Sequence, residues 1–375
     1  MIINGKLLMM NSKDGKLILL ISSFGIGGTE KIFQLLVERL NLTEIDFEIW
    51  IVNKLSENQR IKLSNITDHP IHEFKIRRTY ASFFNLYSKI KKEKPKKIIT
   101  FSYEITCILI LIKFISFKKY ILISRNNNTI SRELTIGKSI IRKYFIRHLI
   151  LFTYGLSDII INQCHEMKED LVDSLYINHS NIFTIYNPIK INKSYFEIKK
   201  KNNKNFFLCV GRLEIQKNFQ VAIEAFSLFS MHVSHYQLII VGEGSQKNNL
   251  QNYINSLGMS EKIHLVGSKD NLEEYYLNAT ALLMTSLYEG FPNVILEAIS
   301  HGLPVISFDF KSGPKEIIEN GLNGFLIESS VNALIFSMNF IIKKPLKRHS
   351  VINSLERLKL QNSLDEYLKI INIDS

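Results

Sequence analysis

Strand-like apolar runs alternate with helix-like segments along this 375-residue chain. Such alternation predicts an α/β protein in which helices cover both faces of parallel sheets. The pattern starts again at residue 205, where a strand is followed by a glycine turn and a helix. The length also exceeds what one ordinary domain needs. We therefore predict two Rossmann-like, doubly wound parallel-sheet domains that bind ligands at the carboxyl ends of their strands.

The first block begins with the apolar run LILLIS at residues 17–22, then a glycine turn, then an amphipathic helix pattern. Backbone N–H groups in such a turn can bind phosphate, and Gly27 and Gly28 are the candidates. The glycine spacing is neither GxGxxG nor Walker A, so a tight turn without a ligand is an equal alternative. The residues before the run lack the charged leader, apolar core and cleavage site of a signal peptide.

Positive charge is concentrated in residues 61–150, which hold 19 lysines and arginines against 5 acidic residues, whereas the formal net charge of the whole chain is +12. Within this stretch, residues 138–152 alternate apolar and basic side chains at helical spacing. A basic amphipathic helix predicts binding to anionic lipid headgroups, and a core helix with a solvated cationic face is the alternative. No apolar run reaches the ~20 residues of a transmembrane helix. No nucleic-acid-binding signature accompanies the charge, so we expect no nucleic-acid partner.

The second block begins with FFLCVGRLEIQKNF, in which Arg212 and Lys217 flank the turn between a strand and a helix. The helix dipole places a partial positive charge at a helix N-terminus, so two cations there are repelled by it. We therefore expect an anionic ligand, such as a diphosphate, to compensate them. Charges that are merely solvated are the alternative.

The stretch SLYEGFPNVILEAISHGLPVI, residues 286–306, reads as a loop, a short helix and a buried strand. Pro292 suits the first helical position, and Gly302 suits the helix end. Glu289 precedes the helix and Glu297 lies within it. Two carboxylates beside a phosphate-binding helix start could accept hydrogen bonds from the hydroxyls of a sugar nucleotide. Surface carboxylates near a helix N-terminus are the alternative.

Glu289 and Glu297, with GFPNVILEA between and around them and HGLPVI after them, resemble the Glu-x7-Glu signature of glycosyltransferase family 4. Members of this family are retaining enzymes of the GT-B fold. The resemblance implies that Glu289 contacts the transferred sugar, that Glu297 contacts the ribose, and that Arg212 and Lys217 bind the diphosphate. The other donor-binding candidates in this stretch are Gly290, Phe291 and Asn293.

Other segments are similar to the same family. GGTEK, with Gly27 and Gly28, resembles its N-terminal glycine loop. ISRNNN resembles a subset that lacks the usual histidine, which makes Arg125 a candidate for contacting the acceptor or the transferred sugar, with a capping loop as the alternative. Gly242 and Gly267 are expected to border the nucleotide base. Glu316 is expected to cap a helix rather than to approach the donor.

The segment IYNPI at residues 185–189 resembles the linker between the two domains of this family. We predict an acceptor-binding domain over residues 1–190, a linker over 191–204 and a nucleotide-sugar-binding domain over 205–350. Residues 351–375 are expected to form helices that cross back to the first domain.

Taken with the resemblance, these features predict transfer of a hexose or N-acetylhexosamine from a UDP-linked sugar to a saccharide acceptor. A polyprenyl-diphosphate-linked acceptor in capsule or O-antigen synthesis is expected, with the protein cytoplasmic or peripheral on the inner membrane face. No cofactor or metal is expected, because no DxD motif or His/Cys cluster is present. The alternatives are a sugar-nucleotide epimerase of the same fold, which would need catalytic carboxylates and a histidine, and a non-catalytic membrane- or nucleic-acid-binding protein.

Overall fold

The computed structural model describes residues 15–25, 27–117, 119–127, 148, 152, 154–174, 181–189, 191, 195, 205–358 and 360–373. The chain divides into two compact units, one formed by Met1–Pro188 with Asn362–Ser375 and one by Ile189–Gln361. Of the predicted linker 191–204, only residues 191 and 195 are described. Most of the basic amphipathic segment 138–152 likewise lies outside the described residues.

The first unit contains a seven-stranded sheet with the order β3-β2-β1-β4-β5-β6-β7. All its strand pairs are parallel, as the alternation of strands and helices predicted. Five of the strands are buried along their whole length, because helices cover both faces of the sheet. The strands are β1 (Leu17–Ile21), β2 (Phe47–Ile51), β3 (Ile71–Glu73), β4 (Lys97–Thr100), β5 (Ile121–Arg125), β6 (Ile159–Asn162) and β7 (Ile182–Thr184).

Helices pack against each face of this sheet. On one face lies α1, whose buried side chains join the core of β1 and β2, and on the other lie α3 and α4. The helices described before residue 188 are α1 (Gly28–Leu40), α2 (Glu57–Ser64), α3 (Phe83–Glu93), α4 (Tyr103–Ser116) and α5 (His165–Glu169). None of the helices in the described part of the chain is both long and apolar enough to cross a membrane.

The second unit contains a six-stranded parallel sheet with the order β10-β9-β8-β11-β12-β13. Its strands are β8 (Asn205–Val210), β9 (Tyr236–Val241), β10 (Ile263–Leu265), β11 (Leu282–Met284), β12 (Val305–Phe308) and β13 (Gly324–Ile327). Its helices are α6 (Phe219–Ser230), α7 (Lys247–Ser256), α8 (Glu273–Asn278), α9 (Asn293–Ser300), α10 (Pro314–Ile317), α11 (Val331–Lys343) and α12 (Arg348–Asn353).

The last helix, α13 (Ser363–Ile371), belongs to the first unit, whereas α12 and the turns that follow it as far as Leu358 remain with the second. The apolar residues of α13 pack with α1 in the core of the first unit. The buried Lys97 ammonium donates a hydrogen bond of 2.6 Å to the Ile371 carbonyl oxygen, and Arg39 Nη2 lies 2.7 Å from Asp365 Oδ1. These contacts fix both ends of the final helix.

Candidate functional site

Two loops meet where the order of strands in the second sheet reverses. β8 and β11 are neighbours, but the chain runs outward from β8 through β9 and β10 before it returns to β11. Ligands in doubly wound sheets bind at the carboxyl ends of the strands on either side of such a reversal. The loop after β8 contains Arg212 and Lys217, and the loop after β11 contains Glu289. The topology therefore brings together the two motifs that the sequence singled out.

Hydrogen bonds join these two loops directly. The Leu287 N–H donates to the Gln216 carbonyl oxygen at 2.9 Å, and the Gln216 side-chain amide donates to the Tyr288 carbonyl oxygen at 2.8 Å. The Thr285 hydroxyl donates to the Lys217 carbonyl oxygen at 3.1 Å. Because backbone groups from both loops take part, the loops hold each other in a fixed position.

Lys217 and Glu289 form an ion pair at the centre of this junction. Lys217 Nζ lies 2.6 Å from Glu289 Oε1, and the Ser286 hydroxyl donates to the same oxygen at 2.7 Å. The two charged side chains are only 11% and 12% exposed. The lysine reaches the carboxylate by passing over Gly211, where an added Cβ would lie 2.8 Å from Lys217 Cε. The sequence predicted a ligand for each residue but did not predict this pair.

Arg212 lies at the same edge with an exposed side chain. Its neighbour Glu214 accepts hydrogen bonds from the Ser245 N–H at 2.9 Å and from the Ser245 hydroxyl at 2.7 Å. These bonds from Ser245, together with the charge of Arg212, lower the pKa of the Glu214 carboxyl. The turn therefore holds a fixed carboxylate beside an arginine that is accessible to an anionic ligand.

The glycines of the turns after β8, β9 and β10 pack against one another. A Cβ on Gly242 would overlap the Gly211 carbonyl oxygen, so only glycine fits there. The Gly242 N–H donates to the Gly267 carbonyl oxygen at 2.9 Å, and Gly267 has a positive φ of 73°. Both residues therefore have a packing role, and their predicted contact with a nucleotide base stays a prediction.

The helix that follows Glu289 begins at Asn293, one residue later than predicted, and Pro292 is its N-cap. Gly290 and Phe291 are buried in the preceding turn, and Asn293 is half-buried. The helix ends as predicted at Gly302, which has a φ of 72°.

Bonds from the Gly302 N–H to the Ile299 carbonyl oxygen and from the Leu303 N–H to the Ala298 carbonyl oxygen form the Schellman pattern at this helix end. Glu316 lies in the first turn of α10, where a helix dipole favours a carboxylate.

Glu297 is held by residues that the sequence analysis did not identify. The buried Tyr276 hydroxyl donates to Glu297 Oε2 at 3.0 Å, and His301 Nδ1 lies 2.7 Å from the Glu297 carbonyl oxygen. Burial, followed by the charge of Glu297, raises the pKa of Tyr276 well above its usual value, so the phenol stays protonated as a donor. Arg348 also donates to the His301 carbonyl oxygen at 2.5 Å.

Arg125 is the last residue of β5, where the strand-like run of the sequence ends. Its side chain is only 1% exposed at the end of β5. Nε donates to the Tyr367 hydroxyl at 2.8 Å, Nη2 donates to Asn187 Oδ1 at 2.7 Å, and Nη1 bonds to Asn127. The guanidinium thereby connects α13 to the first sheet, and its predicted contact with an acceptor or sugar stays a prediction.

In the first unit, the strand order reverses between β1 and β4, and Gly27 and Gly28 follow β1. Gly27 is the N-cap of α1 and Gly28 its first residue. The Glu30 carboxylate lies so close to Gly27 that an added Cβ would overlap it. The predicted glycine turn therefore lies at the ligand-binding edge of the sheet, and its contact with a phosphate stays a prediction.

Among the described residues, no group of three histidine, cysteine or acidic side chains is arranged to hold a metal ion. The three cysteines are free and buried.

Two parallel sheets of this kind define a protein of the GT-B class. The structure is similar over 95% of the chain to Anabaena Alr3699/HepE in complex with UDP-glucose, with a TM-score of 0.78, 16% identity and 100% of that chain covered. This likeness shows the GT-B fold that the sequence predicted.

Residues 190–357 match the model of the family Glycosyl transferases group 1. The chain is also 29% identical over 340 residues to an uncharacterized glycosyltransferase of Methanocaldococcus jannaschii, covering 84% of this chain and 79% of that protein.

A second relative is N-acetylgalactosamine-N,N'-diacetylbacillosaminyl-diphospho-undecaprenol 4-alpha-N-acetylgalactosaminyltransferase of Campylobacter jejuni. It is 31% identical over 186 residues, which cover 48% of this chain and 50% of that protein. This match thus spans about half the length of the relative.

Proposed function

We propose that the protein is a retaining glycosyltransferase that moves a hexose or N-acetylhexosamine from a nucleotide sugar to a saccharide acceptor. The observation that carries the proposal is the ion pair of Lys217 and Glu289 where the second sheet reverses its strand order, with Arg212 exposed at the same edge. A cation and a carboxylate held together there match the two parts of a nucleotide-sugar donor, its diphosphate and its sugar. The diphosphate needs positive charge, and the sugar hydroxyls need an acceptor.

In this proposal, Arg212 and Lys217 stabilise the charge that develops on the departing diphosphate. Glu289 accepts hydrogen bonds from the hydroxyls of the transferred sugar, and Glu297 accepts them from the ribose. The acceptor oxygen attacks the anomeric carbon on the face from which the diphosphate leaves, and a donor phosphate oxygen takes the acceptor proton. The anomeric configuration is thereby retained. The two cations supply the positive charge that the leaving group requires, so the proposed reaction uses no metal.

The comparisons support the proposed substrates. The similar structure of Alr3699/HepE contains UDP-glucose, which supports a UDP-linked donor. The name of the Campylobacter relative describes a substrate linked to diphospho-undecaprenol, which supports a polyprenyl-diphosphate-linked acceptor and a role in surface polysaccharide synthesis. Such an acceptor lies in a membrane. We therefore propose that the protein works at the inner face of the plasma membrane, with residues 61–150 facing anionic lipid.

The first test is Arg212→Ala, assayed for transfer from a panel of UDP-sugars to a lipid-linked saccharide. Because Arg212 is exposed, the variant should keep its melting temperature. Loss of one group that stabilises a transition-state charge should lower kcat by about a hundredfold. Lys343→Ala, which removes an exposed cation from α11, is the matched control and should keep full activity. Undiminished transfer by Arg212→Ala would overturn the proposed role.

Incubation with the nucleotide sugar alone tests the reaction type. A transferase should release the sugar only by slow hydrolysis, whereas an isomeric nucleotide sugar would show an epimerase. Stereochemistry is read from the product linkage by NMR, and a product of inverted configuration would exclude the retaining mechanism.

A further inference from the structure

The helices α3 and α4 bring their C-terminal ends to the same edge of the first sheet. Each helix begins after the carboxyl end of one strand, directly or after a short turn, and ends before the amino end of the next strand. Accordingly, α3 ends at Glu93 just before β4, and α4 ends at Ser116 just before β5. The two helices also pack against each other. Residues at their ends therefore share one surface at the amino ends of the strands.

Large apolar side chains are exposed at the end of α4. Leu111, Phe114 and Ile115 follow one another at helical spacing on its outer face, and Phe117 is 90% exposed just after the helix. Phe152, which is also exposed, stacks on Phe114 with ring centroids 6.2 Å apart. Scattered single apolar residues are normal on a protein surface, but a contiguous patch with several aromatic rings indicates a binding surface.

Phe117 has an unfavourable backbone conformation in addition to its exposure. It is the C-cap of α4 with a φ of 48°, in the left-handed region that favours glycine or asparagine. The exposed ring gains little from packing, so the stability of the fold does not account for a phenylalanine at this position.

Exposed lysines lie at the same edge of the sheet as the apolar patch. Lys91, Lys92 and Lys94 lie at the end of α3, and Lys119 follows Phe117 after one residue. Two acids at this edge, Glu93 and Asp158, are paired with other lysines. Glu93 pairs with Lys89 at 3.1 Å, and Asp158 pairs with Lys113 at 2.6 Å. The edge as a whole is therefore both apolar and positively charged.

We propose that this edge docks on an anionic lipid bilayer, with the apolar side chains entering the headgroup boundary and the lysines contacting lipid phosphates. The inference rests on the proposed use of a lipid-linked acceptor. A second copy of the chain fits this edge less well, because a symmetric contact would bring the same lysines together. The docking edge is defined by Leu111, Phe114, Ile115, Phe117, Phe152, Lys91, Lys92, Lys94 and Lys119.

The test is flotation of the full chain with vesicles of phosphatidylcholine alone or mixed with phosphatidylglycerol. The wild-type protein should bind the mixed vesicles and lose that binding as salt increases. Phe114→Ser and Phe117→Asn should each weaken binding about tenfold, because each removes the transfer of one aromatic ring from water. Lys91→Gln and Lys92→Gln should each weaken it about fivefold at low salt.

Phe336→Ser is the matched control, because Phe336 is an exposed aromatic residue on α11 of the second unit, outside the docking edge. It should leave vesicle binding unchanged. Phe117→Asn should keep or raise the melting temperature, since asparagine suits the left-handed conformation. A lower melting temperature with unchanged vesicle binding would assign Phe117 a structural role and overturn the proposal.

Two further measurements distinguish a failure of the docking proposal from a failure of the proposed function. Transfer to a water-soluble saccharide should persist in Phe117→Asn while transfer to an acceptor in vesicles falls. If the wild-type protein transfers sugar but never floats with anionic vesicles, the docking edge is wrong and the proposed function stands. If the wild-type protein instead forms a dimer that Phe114→Ser dissociates, the edge binds a second copy and not a membrane.

Discussion

The Tyr276 hydroxyl donates a hydrogen bond of 3.0 Å to Glu297 Oε2, although the two residues come from different helices, α8 and α9. Tyr276 is buried, and its phenol keeps its proton because its pKa is raised. The ring also lies against that of His301, with centroids 5.1 Å apart. The carboxylate proposed to bind the ribose is thus oriented by a tyrosine that does not itself lie in the motif.

Tyr276→Phe should raise the KM for the nucleotide sugar about tenfold and leave kcat nearly unchanged, because a hydrogen bond to a charged group is lost while the leaving group keeps its cations. Calorimetry with UDP and with its 2′,3′-dideoxy analogue provides the distinguishing readout. The variant and the wild-type protein should bind the analogue equally. An equal loss of affinity for both nucleotides would show that Tyr276 acts on general stability instead of on Glu297.

Gly242→Ala should destabilise the second unit by about 4 kcal/mol, because the added methyl group would overlap the Gly211 carbonyl oxygen in a turn that cannot relax cheaply. Gly258→Ala is a suitable comparison. Gly258 has a positive φ of 66°, but an added Cβ would meet nothing within 4 Å. That variant should lose only about 1 kcal/mol from its backbone conformation. Urea unfolding measures both, and equal losses would contradict the role of close packing between the two turns.

Tyr367→Phe should lower the free energy of unfolding of the first unit by about 2 kcal/mol, since it removes a buried acceptor from the Arg125 guanidinium. The KM for the donor should not change. The same urea titration, followed by donor kinetics, separates this structural role from the predicted contact with substrate. A large effect on transfer without loss of stability would instead support the predicted contact of Arg125 with the substrate.

Acid should weaken the first unit through Glu48, a buried residue of β2. Burial opposes its ionisation, but a hydrogen bond from Lys16 at 3.0 Å and the charges of Lys16 and Lys89 outweigh burial and lower the pKa of Glu48 below its ordinary value of 4.5. A lowered pKa contributes stability above the unfolded-state value, and this stability is lost as pH falls through the folded-state value.

The urea midpoint of the wild-type protein should therefore decrease as the pH is lowered below about 4.5, the ordinary pKa of the glutamate side chain. Glu48→Gln should make this drop shallower. Glu44→Gln, which alters an exposed carboxylate on the preceding loop, should leave it unchanged. Identical acid profiles for all three proteins would contradict the role of Glu48.

Much of the fold was predictable because local patterns encode it. Runs such as LILLI and FFLCV are apolar throughout, and only strands covered on both faces need that composition. Gly302 ended its helix as predicted, because a helix end in the left-handed conformation has a strong residue preference. The start at Asn293 was misjudged by one residue, since proline is acceptable both at the N-cap and just after it.

The candidate site was only partly predictable. The motifs around Arg212, Lys217, Glu289 and Glu297 were found, but the sequence could not show that Lys217 bonds to Glu289. Tyr276 carries no local signal at all, because its partner lies 21 residues away on another helix. The sequence likewise could not show that the Arg125 side chain bonds to Asn187 and to Tyr367, the latter 242 residues away.

The sequence by itself therefore determined the two parallel sheets, the glycine turns and the residues that lie at the strand ends. Periodicity and turn chemistry act over a few residues, so they can be read from neighbours along the chain. Only the tertiary structure decided which charged side chains pair. It also decided that Arg212 is exposed and that Arg125 is buried. Those choices depend on how strand order and loop packing bring distant residues within hydrogen-bonding distance, and no local pattern records that distance.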